Sequence, residues 1–440
     1  MVKITFMGAG SCVFSKRVIG DCMVYSEVLQ NAEFALYDID EKRLEESYQI
    51  ICALNKNINE NRATVTKFLG VENRKDALRN ADFVINAIQV GFYDPCTIID
   101  FEIPKKYGLR QTIGDTLGIG GIFRGLRTIR VMKEFAADME EVCPNAWLLN
   151  YTNPMAMITG YMQRYTKVKT IGLCHSVQVC SKLLLKRLDM EDKLEGRSEL
   201  IAGINHMGWL LDIRDKDGND LYPEIKRRAK KMNAEEKHKD MVRFDYIDKF
   251  GYYCTESSEH NAEYNFLYIK ENRPELIEKF NIPLDEYPRR CMEMDNTKAE
   301  RRQAMEDGTL DHELTTEYAC RIMTAILTNV PYKFGGNVMN NGLISNLPAD
   351  ACVEVPCYAD NAGIHPTYIG ALPLQCAAMN QTNINVQLLT IAAAREQSME
   401  HVYHAALLDP HTGSQLSTDE IISLCDELRA AHESAGYPIF

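Results

Sequence analysis

The sequence lacks features that would place the protein in a membrane, outside the cell or on nucleic acid. No apolar run approaches the roughly 20 residues that a membrane-spanning helix requires. The strand-like segment Lys3–Met7 begins almost at once and leaves no room for a secretory signal. The 440 residues carry a formal net charge of −13, and phosphate binding needs a basic surface. We therefore expect a cytoplasmic protein that binds neither membranes nor nucleic acid.

A disulfide framework is also absent from the pattern of cysteines. The fourteen cysteines are scattered, and no two of them have the spacing Cys-x-x-Cys. A chain of this length can bury a large core without cross-links. We expect reduced thiols that serve mostly as small core residues, except where a cysteine follows a strand beside other polar groups.

Apolar strand patterns alternate with helical patterns over the first 190 residues, and this alternation predicts the fold. Continuous apolar strands separated by helices are typical of a parallel sheet that is covered on both faces. After that point the sequence becomes more charged and mixes strand and helix patterns. We predict an α/β fold similar to lactate and malate dehydrogenases, with a Rossmann-like, doubly wound domain over residues 1–195. An α+β substrate domain is expected over residues 196–440. The predicted strands of the first part are Lys3–Met7, Phe34–Ile39, Phe83–Gln89, Trp147–Tyr151 and Thr170–Leu173.

A glycine-rich turn after the first strand predicts a dinucleotide site. Gly8, Gly10 and Ser11 lie between that strand and a helical pattern, where glycines let the backbone approach a pyrophosphate. The third glycine of the usual fingerprint is missing. Asp38 ends the second strand, where a carboxylate accepts a hydrogen bond from the ribose 2′-OH and repels a 2′-phosphate. This favours NAD over NADP, and Asn86 at the end of a later strand is expected at the same site. The alternative is a purely structural turn.

Polar residues follow three later strands, at the sheet edge where ligands bind in open parallel sheets. The segments are Asn150–Pro154, Cys174–His175 and Asn205–His206. A cysteine thiolate and an imidazole can together bind a borderline divalent metal. From these residues alone, a buried cysteine and a hydrogen-bonded core histidine remain an open alternative.

The motifs around these positions resemble glycoside hydrolase family 4, the NAD- and metal-dependent glycosidases. The resemblance extends over essentially the whole chain. Within the family, two segments, Cys174–Val177 and Thr255–His260, are similar to the α-galactosidases of melibiose utilisation. The segments that carry the wider resemblance are Gly8–Ser11, Leu36–Asp40, Gly114–Gly118, Asn150–Pro154, Gly172–Ser176, Gly203–His206, Asn346–Pro348, Val353–Pro356, Gly363–Pro366 and Asp409–Thr412.

The resemblance implies a redox-assisted elimination that leaves NAD unconsumed. Hydride passes from C3 of the sugar to NAD⁺, a base removes the C2 proton, and the aglycone leaves from C1 with acid assistance. Water then adds, and the hydride returns. Cys174 and His206 are implied to hold Mn²⁺ or another divalent metal that the sugar hydroxyls chelate.

The resemblance also suggests residues that contact the sugar. Asn153 is expected to hydrogen-bond the C2 and C3 hydroxyls in the catalytic centre, and Asn150 and Asp115 are expected to contribute to substrate binding. The alternatives are turn and capping roles for the asparagines and a buried structural role for the aspartate.

The resemblance identifies the catalytic acid and base less directly than the metal ligands. His175 comes directly after the metal cysteine and is the predicted acid. Other branches of the family carry the base, an aspartate or tyrosine, at a position near Ser258, and the serine here makes His260 the preferred base. A core or supporting histidine is the alternative. The neighbours that could supply or relay the proton are Glu256, Glu259 and Tyr264.

The sequence leaves competing hypotheses about which sugar is the substrate and about the class of reaction. Thr316 stands where close relatives often have arginine, so an α-galacturonidase or an α-glucuronidase is the nearest alternative to an α-galactosidase. A hydroxyacid dehydrogenase or a non-catalytic NAD sensor would share the fold. Relatives are commonly dimers or tetramers, so we expect a homodimer or homotetramer.

Overall fold

The computed structural model describes residues 1–293 and 298–440, which form one continuous sheet with helices on both sides. The strands are β1 (Lys3–Met7), β2 (Glu33–Asp38), β3 (Thr64–Leu69), β4 (Phe83–Asn86), β5 (Trp147–Asn150), β6 (Lys169–Gly172), β7 (Ser198–Ile204), β8 (Met207–Arg214), β9 (Tyr253–Cys254), β10 (Tyr332–Met339), β11 (Cys352–Asp360) and β12 (Gly363–Pro366). The helices are α1 (Cys12–Tyr25), α2 (Glu27–Gln30), α3 (Glu41–Asn59), α4 (Arg74–Leu78), α5 (Ile98–Lys106), α6 (Gly118–Val142), α7 (Met155–Tyr165), α8 (His175–Arg187), α9 (Tyr222–Glu235), α10 (Met241–Phe250), α11 (Ser258–Glu263), α12 (Glu275–Lys279), α13 (Glu286–Met292), α14 (Lys298–Glu306), α15 (Ala319–Thr328), α16 (Leu374–Glu396), α17 (Met399–Leu408), α18 (Pro410–Gln415) and α19 (Thr418–Ser434).

The first six strands form a parallel sheet in the order β3-β2-β1-β4-β5-β6. This is the Rossmann order, in which the chain winds in both directions from a central strand. Strand β4 is buried at all its positions, as expected for a parallel strand that is covered on both faces. The predicted doubly wound fold is therefore confirmed.

Antiparallel strands extend this sheet beyond β6. Strand β10 joins β6 through the pair Asn337 and Gly172, and β11 joins β7 through the pair Glu354 and Gly203. Strands β7, β8 and β9 follow as an antiparallel set, and β12 pairs with β11. The predicted domains of residues 1–195 and 196–440 therefore share one sheet, and the position of the boundary between them stays a prediction.

The interior of the protein consists of packed helices and buried thiols. The faces of α6 and α16 that pack together belong to one large apolar core. All fourteen cysteines are free thiols, and eleven of them are buried. Within the described residues, no helix has both the length and the apolar character needed to cross a membrane.

Candidate active site

The glycine turn after β1 passes so close to its neighbours that side chains cannot fit. Gly8 has φ +85°, and a Cβ on it would lie 2.8 Å from the carbonyl carbon of Ala87. A Cβ on Gly10 would lie 2.7 Å from Asp38 Oδ2. The turn therefore needs glycine at both positions, and it leaves exposed backbone at the N-terminal end of α1.

Asp38 fastens this turn from the end of β2. Its side chain accepts hydrogen bonds from the backbone N–H of Gly10 at 2.7 Å and of Asp40 at 3.0 Å. Arg43 donates from Nε to the carbonyl of Gly10 at 3.1 Å, and its guanidinium lies 4.6 Å from the ring centre of Phe92. Asp38 thus has a structural role besides the predicted contact with ribose.

A cavity of about 620 Å³ opens at this turn. Gly8, Ser11 and Asp38 line one side of it, and the backbone after β4, residues 87–92, lines another. Clefts of this size at the strand ends of doubly wound sheets bind nucleotides. The glycine turn, the acidic residue on β2 and the cavity together fit an NAD molecule.

Two predicted site residues lie below this surface. Asn86 donates from Nδ2 to Asn150 Oδ1 at 2.8 Å, and neither residue is exposed to solvent. Asn150 also receives the backbone N–H of Thr152 at 3.1 Å. The pair holds the ends of β4 and β5 together, and direct contacts with cofactor or sugar stay predictions.

Cys174, His206 and Glu256 form a cluster suited to a metal ion. Cys174 precedes α8, His206 lies in the turn between β7 and β8, and Glu256 follows β9. One possible ligand atom from each lies within 4.8 Å of the other two. Metal–ligand bonds of about 2.0–2.3 Å place ligand atoms at such separations. A thiolate, an imidazole and a carboxylate fit a borderline divalent cation such as Mn²⁺ and leave further coordination positions for substrate.

The surroundings of His206 fix which ring nitrogen faces the cluster. Nδ1 lies 3.1 Å from the hydroxyl of Tyr264 and 3.2 Å from that of Thr116, so Nε2 faces Glu256 at 3.4 Å. Burial lowers the pKa of His206 to about 4, which keeps the imidazole neutral and able to bind metal. Burial raises the pKa of the Cys174 thiol well above its usual value, so thiolate formation here requires a nearby cation.

His260 lies between two carboxylates next to the cluster. Its Nε2 is 3.7 Å from Asp115, and its Nδ1 is 3.6 Å from Glu256 and 2.9 Å from Ser257 Oγ. Burial opposes the charged form, but the charges of Glu256 and Asp115 raise the pKa of His260 to about 9. A cation bound beside Glu256 would lessen this effect, and the role of His260 as the base stays a prediction.

Asn153 and His175 approach the site from other directions. Asn153 donates from Nδ2 to Asp115 Oδ2 at 3.4 Å, so its amide belongs to the same polar group as His260. The side chain of His175 is 59% exposed, and its Nδ1 lies 3.8 Å from Glu317. An exposed imidazole next to Cys174 has the freedom to approach a leaving group.

Ser258 belongs to a separate network. Its hydroxyl donates to Asp240 at 3.1 Å and accepts the backbone N–H of Arg243 at 3.1 Å. The structure thus brings together Asp115, Asn153, Cys174, His206 and His260, and it places Ser258 in an ion-paired group behind them. A catalytic role for Ser258 stays a prediction.

Two residues enter the site that the sequence did not assign to these roles. Glu256, considered only as a group that supplies or relays a proton, completes the candidate metal cluster. Its backbone has φ +65°, a conformation that no sequence pattern indicates. The second residue is Arg124, which lies on α6. It is 7% exposed and donates to the carbonyl of Asn153 at 3.3 Å and to the hydroxyl of Tyr287 at 3.4 Å.

Comparisons with known proteins cover nearly the whole chain. A model of family 4 glycosyl hydrolases matches residues 3–190, and a model of the C-terminal domain of that family matches residues 201–412. The chain is 59% identical over 433 residues to an α-galactosidase of Bacillus subtilis, with 98% of each chain covered. It is 28% identical to an α-galacturonidase of Thermoanaerobacter italicus, with 93% of this chain and 92% of the relative covered. A solved structure of the 6-phospho-β-glucosidase of Thermotoga maritima with manganese, NAD⁺ and glucose-6-phosphate superimposes with a TM-score of 0.76, at 22% identity and 99% coverage of both chains.

Proposed function

We propose, starting from the fact that the chain belongs to glycoside hydrolase family 4, that it is an α-galactosidase acting on terminal α-galactosides of the melibiose type. The observation that carries this proposal is the cluster of Cys174, His206 and Glu256 at the same sheet edge as the dinucleotide cavity. The sugar follows from the 59% identity to an α-galactosidase over nearly the full length of both chains.

A physical connection links the two halves of the proposed site. The ring of Phe14 on α1 lies 4.9 Å from that of Tyr151, which lies 6.4 Å from that of Tyr318. Tyr318 donates its hydroxyl to the carbonyl of Cys174 at 3.1 Å. Packed aromatic side chains therefore join the helix after the glycine turn to the metal ligand, which supports a fixed distance between cofactor and metal.

When bound, NAD⁺ would supply a hydride acceptor for C3 of the sugar, and a divalent cation such as Mn²⁺ would supply a Lewis acid for its hydroxyl oxygens. Cys174, His206 and Glu256 would hold the cation. Thr116 and Tyr264 orient His206, so that its Nε2 faces the site.

The remaining polar groups would bind the sugar and move protons. The amide of Asn153 would position the hydroxyls at C2 and C3, together with Asp115. His260 lies between Asp115 and Glu256 and would remove the C2 proton once its imidazole is neutral. The exposed imidazole of His175 would assist departure of the aglycone.

An α-galacturonidase is the second candidate, and the position of Arg124 favours it. This buried guanidinium contacts the backbone of Asn153, where it could pair with the carboxylate of a uronide. The relative of this activity is 28% identical, much less than the α-galactosidase.

We further propose that residues 1–195 bind NAD, that residues 196–440 form most of the substrate and metal site, and that the protein is a homodimer or homotetramer. Cys174 comes from the first part and His206 from the second, which supports a sugar pocket between the two. Apolar side chains on adjoining helices are exposed and would suit a subunit interface: Tyr25, Val28 and Leu327.

The test is hydrolysis of p-nitrophenyl α-galactoside with NAD⁺, Mn²⁺ and a thiol reductant, with each omitted in turn and with a chelator. We expect full activity only with all three present, and its loss in Cys174→Ala but not in Cys52→Ala, a control at a partly exposed cysteine on α3. A kcat/KM that is higher with the α-galacturonide or the α-glucuronide than with the α-galactoside would mean that a uronide is the substrate. Net NADH production from a hydroxy acid, without glycoside hydrolysis, would overturn the proposal in favour of a dehydrogenase.

A further inference from the structure

The end of the chain forms part of the wall of the dinucleotide cavity. After α19, residues Gly436, Tyr437 and Pro438 line the same cavity as the glycine turn. Gly436 has φ +85°, and the backbone N–H of Tyr437 donates to the carbonyl of His432 at 2.9 Å, so the chain turns back on its helix. Ile439 is 1% exposed and anchors the segment in the core. The matching model of the C-terminal domain ends at residue 412, well before this segment.

Tyr437 packs against the loop that follows β4. Gly91 in that loop has φ +80°, and a Cβ on it would lie 3.5 Å from Cδ1 of Tyr437. Phe92 lines the cavity beside this glycine. Tyr437 is partly exposed and lines the cavity, so its side chain is accessible to a bound ligand.

A buried ionic triad holds this corner in place. Arg127 makes two hydrogen bonds to Asp100, at 3.1 and 2.6 Å, and Asp100 also contacts His432 Nε2 at 2.9 Å. The side chains of all three are at most 3% exposed. Arg127 then donates from Nε to the carbonyl of Val90 at 3.2 Å, in the cavity loop. The triad therefore connects α19 to the backbone that lines the cofactor cavity.

We infer that the segment Gly436–Pro438 is part of the cofactor site, that Tyr437 contacts the bound dinucleotide, and that His432 and Asp100 are positioning residues for this wall. The inference rests on the proposed function only in taking the ligand to be NAD. A doubly wound sheet supplies the glycine turn and the acidic residue in its first half. Here residues 436–438, which follow α19, add a further wall to the cavity, so we expect cofactor affinity to depend on the packing of α19.

The direct test is calorimetric titration of the intact protein with NAD⁺. Tyr437→Ala should weaken binding about tenfold, as expected when an aromatic side chain is lost from the centre of a contact. Tyr437→Phe should bind nearly as well as the wild type, because it keeps the ring. Tyr368→Ala, which removes a tyrosine that is 69% exposed elsewhere, is the matched control and should bind unchanged.

His432→Phe tests the positioning role. The variant keeps a ring stacked on Phe123, whose centroid lies 5.9 Å from that of His432, and removes the hydrogen bond to Asp100. We expect a higher KM for NAD⁺ with kcat at saturating NAD⁺ nearly unchanged. A lower melting temperature with an unchanged KM would show that the triad is structural only and would contradict this role.

Hydrogen exchange in the unmodified protein gives a result that does not depend on how the variants fold. Addition of NAD⁺ should slow exchange at the backbone amides of Gly436, Tyr437, Ile439 and Phe440. Two results would overturn this inference and leave the proposed function intact. One is that the wild type binds NAD⁺ without such protection, and the other is that Tyr437→Ala binds NAD⁺ as tightly as the wild type. A wild-type protein that does not bind NAD⁺ at all would instead contradict the proposed function.

Discussion

Replacing Glu354 by glutamine is expected to remove a pH dependence of stability that the wild type shows. Glu354 lies on β11, is 1% exposed, and accepts a hydrogen bond from Asn337 Nδ2 at 2.9 Å. Burial raises the pKa of its carboxyl group to about 8, and the hydrogen bond from Asn337 offsets this only in part. The folded protein therefore keeps this side chain protonated at neutral pH.

The direction and the size of this pH effect on stability follow from the difference in the number of protons bound by the folded and the unfolded protein. In the unfolded chain a glutamate has a pKa of about 4.3. Between that value and about 8, the folded state holds a proton that the unfolded state has released. Stability from this group is fully present below pH 4.3 and falls by about 1.4 kcal/mol for each pH unit above it. Between pH 5 and 7 the loss is about 3 kcal/mol, and it ends as pH passes the folded pKa.

The assay is urea unfolding of the wild type and Glu354→Gln at pH 5, 6 and 7 in buffer with a chelator. Glutamine has nearly the same shape and can still accept the hydrogen bond from Asn337, so the difference in free energy of unfolding isolates the ionisation. The free energy of unfolding of the wild type minus that of Glu354→Gln should fall steadily as the pH rises. Glu195→Gln, at an exposed position, should show no such trend. Wild-type and Glu354→Gln curves that stay parallel over this range would refute the reasoning.

Three further predictions concern the cofactor turn, the buried triad and the metal cluster. Gly10→Ala should weaken NAD⁺ binding in calorimetry about tenfold or more, because its Cβ would lie 2.7 Å from an oxygen of Asp38; unchanged binding would contradict the geometry of the turn. Asp100→Ala should lower the free energy of unfolding by about 3–5 kcal/mol, because it leaves the buried guanidinium of Arg127 unpaired. A loss below about 1 kcal/mol in chemical denaturation would mean that water or another group replaces the carboxylate. Cys174→Ala should weaken Mn²⁺ binding, followed by electron paramagnetic resonance, by about 100-fold or more, and equal affinity would exclude the thiolate as a ligand.

Most of the parallel sheet was predictable, because its central strands are continuous apolar runs. The edge strand β3 was missed because its pattern Thr64–Leu69 mixes polar and apolar residues that are only partly buried. Strand β10 was not predicted, because Gly335 and Gly336 interrupt the apolar pattern of its sequence. The helical pattern that follows the glycine turn forms two helices, because the extended backbone of Ser26 separates α1 from α2. Local patterns do not show such breaks when tertiary packing decides them.

The site was predictable where a motif reports local geometry, and less so where distant segments meet. The glycine turn and the family resemblance, which the family models confirm, indicated the cofactor and Cys174 with His206. Glu256 joins them from a third segment through a left-handed backbone conformation. Asn86 hydrogen-bonds Asn150 below the surface, an orientation that depends on the pairing of β4 with β5 and not on either sequence segment.

The most direct test of the proposed reaction is the fate of the hydrogen at C2 of the sugar. Hydrolysis of p-nitrophenyl α-galactoside would be run in D₂O with NAD⁺, Mn²⁺ and a thiol reductant, and the released galactose analysed by NMR and mass spectrometry. Oxidation at C3 followed by elimination predicts deuterium at C2, because the proton removed there is replaced from solvent. Release of galactose with its original hydrogen at C2 would mean direct displacement at C1 and would contradict the proposed use of NAD and metal.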